Sequence, residues 1–273
     1  MRKYIRKLVG EKGTSLLEMM IALVLTGIIT TAILKVYTTQ HNSYIVQDDV
    51  ASIQQNARAT IDELTRHIRM AGHQLPLGLQ AIAASNTDPD TITVVYRTSN
   101  CETTLSAKMP NPSAELKCAT NVSCFHDGQW VYIFHPDSGG GEWFEITHVQ
   151  TGANHIQHNT MVLSQAYDAD AILLAVEMVK FFIDTTTTSG KPLFMVQRAG
   201  GTPQPYAENI SDLQFRYRLA NGTIVDEPVL ISDVREVLIY VRGQSGYVLD
   251  GENGSPERVR MYSSSVNLRN IGN

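Results

Sequence analysis

The residue best placed to do chemistry is Glu18. It follows Gly13-Thr14-Ser15-Leu16-Leu17 and opens the apolar run Met19-Met20-Ile21-Ala22-Leu23-Val24-Leu25. Thr14 to Leu34 is 21 residues, which as a helix at about 1.5 Å per residue would span roughly 31 Å, close to a bilayer core. Glu18 is the only formally charged side chain in that stretch. An ionisable group inside a membrane segment costs about 2.5–3.5 kcal/mol at mid-bilayer and less near an end, so this carboxylate calls for a cationic partner. Residues 1–13 carry Arg2, Lys3, Arg6, Lys7 and Lys12 against Glu11, a net charge of +4. By the positive-inside rule this end stays in the cytoplasm and the C-terminal bulk crosses the membrane. No small-residue cleavage pattern follows the apolar run near Leu34 and Lys35, as an ordinary secretory signal would require. A cut between Gly13 and Thr14 would instead leave an ammonium on Thr14 at the membrane surface, able to pair with the Glu18 of a neighbouring copy.

Other chemistry-bearing residues are scattered. His155-Ile156-Gln157-His158 lacks the Glu of a helical H-E-x-x-H zinc site and reads as a polar hairpin. Gly243-Gln244-Ser245-Gly246-Tyr247 places Tyr247 where a nucleophile elbow needs glycine. Gly139–Gly141 lacks the G-K-[ST] ending of a phosphate loop, and Ser189-Gly190-Lys191-Pro192 is a turn. Asp168, Asp170, Asp250, Glu252 and Asn253 are oxygen ligands of the kind calcium takes, but they follow no EF-hand order. Cys101, Cys118 and Cys124 all fall on the side expected to be exported, where a disulfide forms readily, and three cysteines leave one over. Cys118–Cys124 would close a tight loop just before the Gln129 strand and is favoured by proximity. Cys101–Cys118 would instead tie a Ser/Asn/Pro-rich excursion. A Cys/His metal site through His126 lacks C-x-x-C spacing. The expectation is a chain without enzyme activity, cofactor or metal.

Beyond the apolar run, Val46, Val50, Ile53, Ala57, Ile61, Leu64 and Ile68 recur at spacings of three and four, a single helical stripe. The opposite side is assigned Asp48, Asp49, Gln55, Arg58, Asp62, Arg66 and Arg69, with Asp62 and Arg66 as an i,i+4 pair. Gly72 and Pro76 end the helix. The spacing predicts one helix from about Thr14 to Ala71, without proline; Gly27 is either a soft point or a small residue for packing. Residues 73–273 read as β-rich, with strands expected at Thr91–Arg97, Gln129–His135, Glu142–Val149, Met161–Ser164, Ala171–Asp184, Leu193–Arg198, Asp212–Leu219, Val234–Arg242 and Arg258–Val266. His135 to Gly141 is expected to turn one hairpin and Asn221-Gly222 another. About 200 residues suffice for one substantial core, and the absence of long helices between strands predicts antiparallel pairing.

The chain has 22 Lys plus Arg and 27 Asp plus Glu. Without residues 1–13 the balance is 17 against 26, a formal charge of −9. An acidic exported part with no basic cluster argues against direct nucleic-acid binding, which needs a basic footprint.

At its N-terminus the chain resembles the type IV prepilin family: a short basic leader, Gly before the cut, Glu fifth after it, then an apolar helix. Thr14 stands where the family more often has Phe or Met. The resemblance implies cleavage after Gly13 by a prepilin peptidase, N-methylation of Thr14, and docking of each subunit into an assembly through Glu18. Further along, Gln54-Gln55-Asn56-Ala57-Arg58 leading into Leu64 to Gly72 is similar to minor pilins of the PilW type. So are Val176 to Ile183, Pro192-Leu193-Phe194, Ala207 to Tyr217 and Asn267-Leu268-Arg269-Asn270, an order shared with J-type pseudopilins of type II secretion. The implied fold is α+β, a long N-terminal helix packed on a mainly antiparallel sheet. The implied organisation is a removed leader (1–13), a transmembrane and filament-core half of the helix (14–34), an amphipathic half (35–72) and a β-rich head (73–273). The implied role is a low-copy minor pilin that primes or caps pilus assembly near the tip. Its partners would be the peptidase, other minor and major pilins and the inner-membrane assembly platform. It would begin as a single-pass inner-membrane protein with its head in the periplasm. A type II secretion pseudopilin and a tip adhesin are the alternatives.

Overall fold

A computed structural model describes residues 15–76, 79–137, 140–186, 191–245 and 258–271. Helix α1 runs from Leu16 to Met70, 55 residues, about 82 Å at the helical rise. It passes through Gly27 unbroken, and no proline interrupts it. Ser15 is the residue before its first turn, and its carbonyl accepts the Glu18 N–H at 2.9 Å. At the far end the chain reverses through Gly72, whose φ of +77° suits a residue without Cβ. A Cβ there would lie 2.7 Å from the Asn270 carbonyl oxygen.

After α1 come β1 (Ile82–Ser85) and β2 (Thr91–Tyr96). The chain then departs into a separate β module: β3 (Glu102–Thr104), β4 (Leu116–Lys117), β5 (Trp130–Phe134), β6 (Gly141–Glu145), β7 (His148–Gln150), β8 (His155–Gln157) and β9 (Ile172–Ala175). It returns as β10 (Glu177–Asp184), β11 (Leu193–Arg198), β12 (Gln204–Glu208), β13 (Ile210–Leu219), β14 (Ile224–Val225), a short 3-10 turn at Ile231–Asp233, β15 (Val234–Gln244) and β16 (Val259–Asn267). The four sheets are ordered β1-β2-β10-β11-β12, β14-β13-β15-β16, β3-β9-β5-β6 and β4-β8-β7. Each described strand pair is antiparallel. The protein is therefore α+β, one long helix with mainly antiparallel sheets.

The first two sheets form a wall against which the second half of α1 packs, touching β2, β12, β13, β15 and β16. Ala57, Leu64, Ile68, Ile92, Phe181, Phe194, Leu213, Phe215 and Ile239 share one core there. Burying an aliphatic or aromatic side chain of this size stabilises by about 1.5–3 kcal/mol. The alternation along β15 explains the wall: Val234, Val237, Ile239, Val241 and Gly243 face inward and their neighbours outward. At Gly243 α1 comes close to the wall, since a Cβ on it would run into the Ile53 methyl. Asp90 ties the two wall sheets together. Its carboxylate accepts the Thr87 N–H (2.9 Å) and the Phe215 N–H (2.8 Å), and its own N–H donates to the Leu213 carbonyl. Burial pushes its carboxyl above the usual range despite those bonds.

The module has a second core of its own, built on Leu105, Leu116, Val131, Ile133, Phe144, Ile156 and Leu173. The inserted chain gives the head this second core, and a smaller cluster of Val95, Leu174 and Val176 lies where it meets the wall. Both hairpins occur as expected: Phe134 pairs with Gly141, and Arg218 with Ile224 around Gly222. Three of the expected strands differ, and β1, β3, β4 and β12 form where no strand was expected. Ala171–Asp184 divides at Val176, because its first part belongs to the module and its second to the wall. Glu142–Val149 divides at Ile146 and Thr147, whose N–H groups turn to Gln129 and Gln157. Met161–Ser164 is loop, where the Leu163 N–H donates to Pro112 and the Leu163 side chain plugs the module core.

Candidate functional site

The first half of α1 projects from the head. Every residue from Ser15 to Tyr44 is exposed, including Leu16 and Leu23 at 76%. The segment is long and apolar enough to cross a membrane. Two of its threonines are satisfied within the helix. Thr26 and Thr31 hydroxyls donate to the carbonyls of Ala22 (2.7 Å) and Gly27 (2.8 Å), so neither is left wanting a partner in an apolar medium. Glu18 lies on the first turn, fully outside the head. Among the described residues no cation lies within ion-pair distance of it. A carboxylate near a helix N-terminus sits favourably in the field of the free N–H groups and remains available to a partner outside the chain. The cut between Gly13 and Thr14 lies outside the described residues.

The second half of α1 departs from the expected two-faced pattern in one respect: polar side chains share the inward stripe. Asp49, placed on the outer side by the sequence reading, is buried, because it stands one helical turn before Ile53 on the same face. The Ser245 hydroxyl donates to its carboxylate. Thr60, Glu63 and His67 continue the line at helical spacing. Arg66 does not pair with Asp62. Its guanidinium donates to both Glu63 oxygens, at 2.8 and 2.6 Å, because Glu63 is held at the wall while Asp62 points to solvent. The His67 ring lies 3.0 Å from the Glu63 carboxylate through Nε2 and 2.9 Å from the Tyr96 hydroxyl through Nδ1. Sequence reasoning missed this chain of groups. The visible signal was Thr60, Glu63 and His67 falling three and four apart beside Leu64 and Ile68.

The cysteines pair differently from either expectation. Cys101 and Cys124 form the disulfide, with Cα atoms 5.8 Å apart, and Cys118 is a buried free thiol. Cys118 is taken out of reach by its own backbone: it bridges Leu105, and its N–H donates to Asn154, which turns its side chain into the module core. Burial pushes that thiol up to about 11. The disulfide links the start of the module at Cys101 to the loop before β5.

The remaining candidates do not converge. His155 faces Glu115 at 3.1 Å, while His158 is buried between the Ala114 and Met161 carbonyls. Asp168 is paired with Lys108 at 2.8 Å. Ser245 faces a carboxylate and not a histidine. Asp250, Glu252, Asn253, Ser189, Gly190, Gly246, Tyr247 and Gly139 lie outside the described residues. Among the described residues no three His, Cys, Asp or Glu side chains come together as a metal would need. No protein-family model, no curated protein and no solved structure matches this chain.

Proposed function

We propose that this chain is a pilin-like assembly subunit, a minor pilin that enters a filament near its tip through the exposed half of α1. The observation that carries the reading is a single unbroken helix divided between two surroundings. Its first half is apolar, membrane-length and wholly exposed, with Glu18 on the first turn; its second half is fixed to the head. Before assembly the membrane serves as solvent for the first half. Afterwards the corresponding halves of neighbouring subunits replace the lipid. Glu18 then finds its cation in the ammonium that cleavage after Gly13 would create on Thr14 of an adjacent subunit. Desolvation makes such a pair strongly dependent on register, since an unpaired charge in an apolar core costs several kcal/mol. The large two-core head favours a low-copy position, because such a bulk repeated at each lattice point would crowd a filament.

Mass spectrometry of the native N-terminus, from membranes and from sheared filaments separately, tests the reading. A peptide beginning at methylated Thr14 is expected in both fractions. An intact Met1 leader in cells with an active prepilin peptidase overturns it. Cleaved protein confined to membranes, with loss of secretion and not of pili on deletion, moves the assignment to a secretion pseudopilus.

A further inference from the structure

We infer that Glu63, His67 and Tyr96 form a proton-operated latch between α1 and the head, closed while the His67 ring is neutral and loosened by acid. The three side chains are 7%, 4% and 5% exposed, and they join the penultimate turns of α1 to the end of β2. Nε2 of His67 faces a carboxylate, which only accepts, so Nε2 carries the hydrogen. Nδ1 is then the acceptor and takes the Tyr96 hydroxyl hydrogen. Both hydrogen-bonding positions of a neutral imidazole are thus used, Nε2 within α1 and Nδ1 across to β2.

A proton on Nδ1 breaks this arrangement. Nδ1 becomes a donor, and the Tyr96 hydroxyl hydrogen must find another acceptor in a pocket walled by the Phe181 ring, 5.2 Å from the imidazole. The surrounding charges are these. From α1 come Glu63, which favours a cation, and Arg66, which opposes it with Nη2 3.4 Å from Nε2. From β11 comes Arg198, also opposing. From β10 comes Glu177, acting on Tyr96, and from β12 Tyr206, which feels Glu63 and Arg66. Burial outweighs the carboxylate, so His67 resists protonation more than an ordinary histidine. The sign follows. The unfolded or detached helix binds the proton at about pH 6.5, and the docked one only at lower pH. The latch is therefore at full strength above about pH 6.5 and loses strength as pH falls through that value toward the lower, docked one.

Hydrogen–deuterium exchange on the full-length protein in detergent micelles tests the latch, with labelling times scaled for the intrinsic pH dependence of exchange. Below about pH 6.5 the opening constant of amides in Thr60–Met70 is expected to rise by up to tenfold per pH unit, the value for one proton taken up. His67→Gln should abolish the slope. His148→Gln, an exposed histidine facing Asp127 in the module, should keep it. A wild-type profile without the rise, or one that His67→Gln leaves parallel, overturns the proposal. Should His67→Gln fail to fold by near-UV circular dichroism, nitrogen-15 shifts of the wild-type imidazoles decide. Persistence of the neutral Nε2–H tautomer of His67 below about pH 6 supports the latch, and an ordinary titration near pH 6.5 or the Nδ1–H tautomer overturns it.

Discussion

Along α1, residues 16–44 hold out Leu16, Leu23, Ile28 and Ile33 to their surroundings, whereas residues 49–68 take an aspartate, a threonine, a glutamate and a histidine into the head beside Ile53, Leu64 and Ile68. The more apolar half is the exposed one. Burial here follows the partners the fold supplies and not hydrophobicity alone. The head offers Ser245 to Asp49 and Tyr96 to His67, so polar groups can leave water without being stranded. Among the described residues it offers nothing to the first half, whose apolar surface stays exposed.

The contrast can be broken by the same change made in each half. Leu64→Ala should destabilise the head by about 2–5 kcal/mol, as large-to-small core changes do, lowering its melting temperature by circular dichroism. Leu25→Ala should leave that temperature where it is. Leu25→Arg should invert the outcome: about 2.5–3.5 kcal/mol against membrane insertion, read as release by carbonate extraction, with the head unaffected. At the joint, Gly243→Ala drives a methyl into Ile53 and should cost about 1–3 kcal/mol. The Gly243→Ala, Ile53→Ala double variant should be less destabilised than the sum of the two. At the surface, Arg66→Gln should cost at most about 1 kcal/mol and Asp62→Asn nothing measurable, since Glu63 and not Asp62 holds the guanidinium. In the module, peptide mapping should find Cys101 linked to Cys124, with Cys118 alkylated only after unfolding.

Much of α1 was legible because one physical rule acts along its whole length. A 3.6-residue period and a lack of breakers place its ends within a residue or two of Leu16 and Met70. The longer strands of the wall were legible for the same reason in period two, whereas the short edge strands β1 and β12 were not expected. What stayed hidden depended on contacts between residues far apart in sequence. Nothing in Glu63, His67 or Tyr96 alone says that they meet, since Tyr96 arrives from a strand whose register is set by β10. The division of Ala171–Asp184 is hidden because a continuous apolar run looks alike whether it serves one sheet or crosses between two. The disulfide was misread because nearness along the chain stood in for nearness in space, and the β3–β9 ladder brings Cys101 across the module toward Cys124. For Glu18 the structure adds its exposure and its place on the first turn, both implied by position in the sequence.

The module leaves the wall after Tyr96 and returns at Glu177, and these two residues stand opposite each other in the β2–β10 ladder. A chain that departs and comes back at one spot makes residues 97–176 a cassette. A fluorescent domain or an epitope whose own ends lie close together could be spliced in its place, provided it shields Val95 and Met178, which the module now covers. Such a graft would report where this protein sits in a living cell while leaving the helix and its wall as they are.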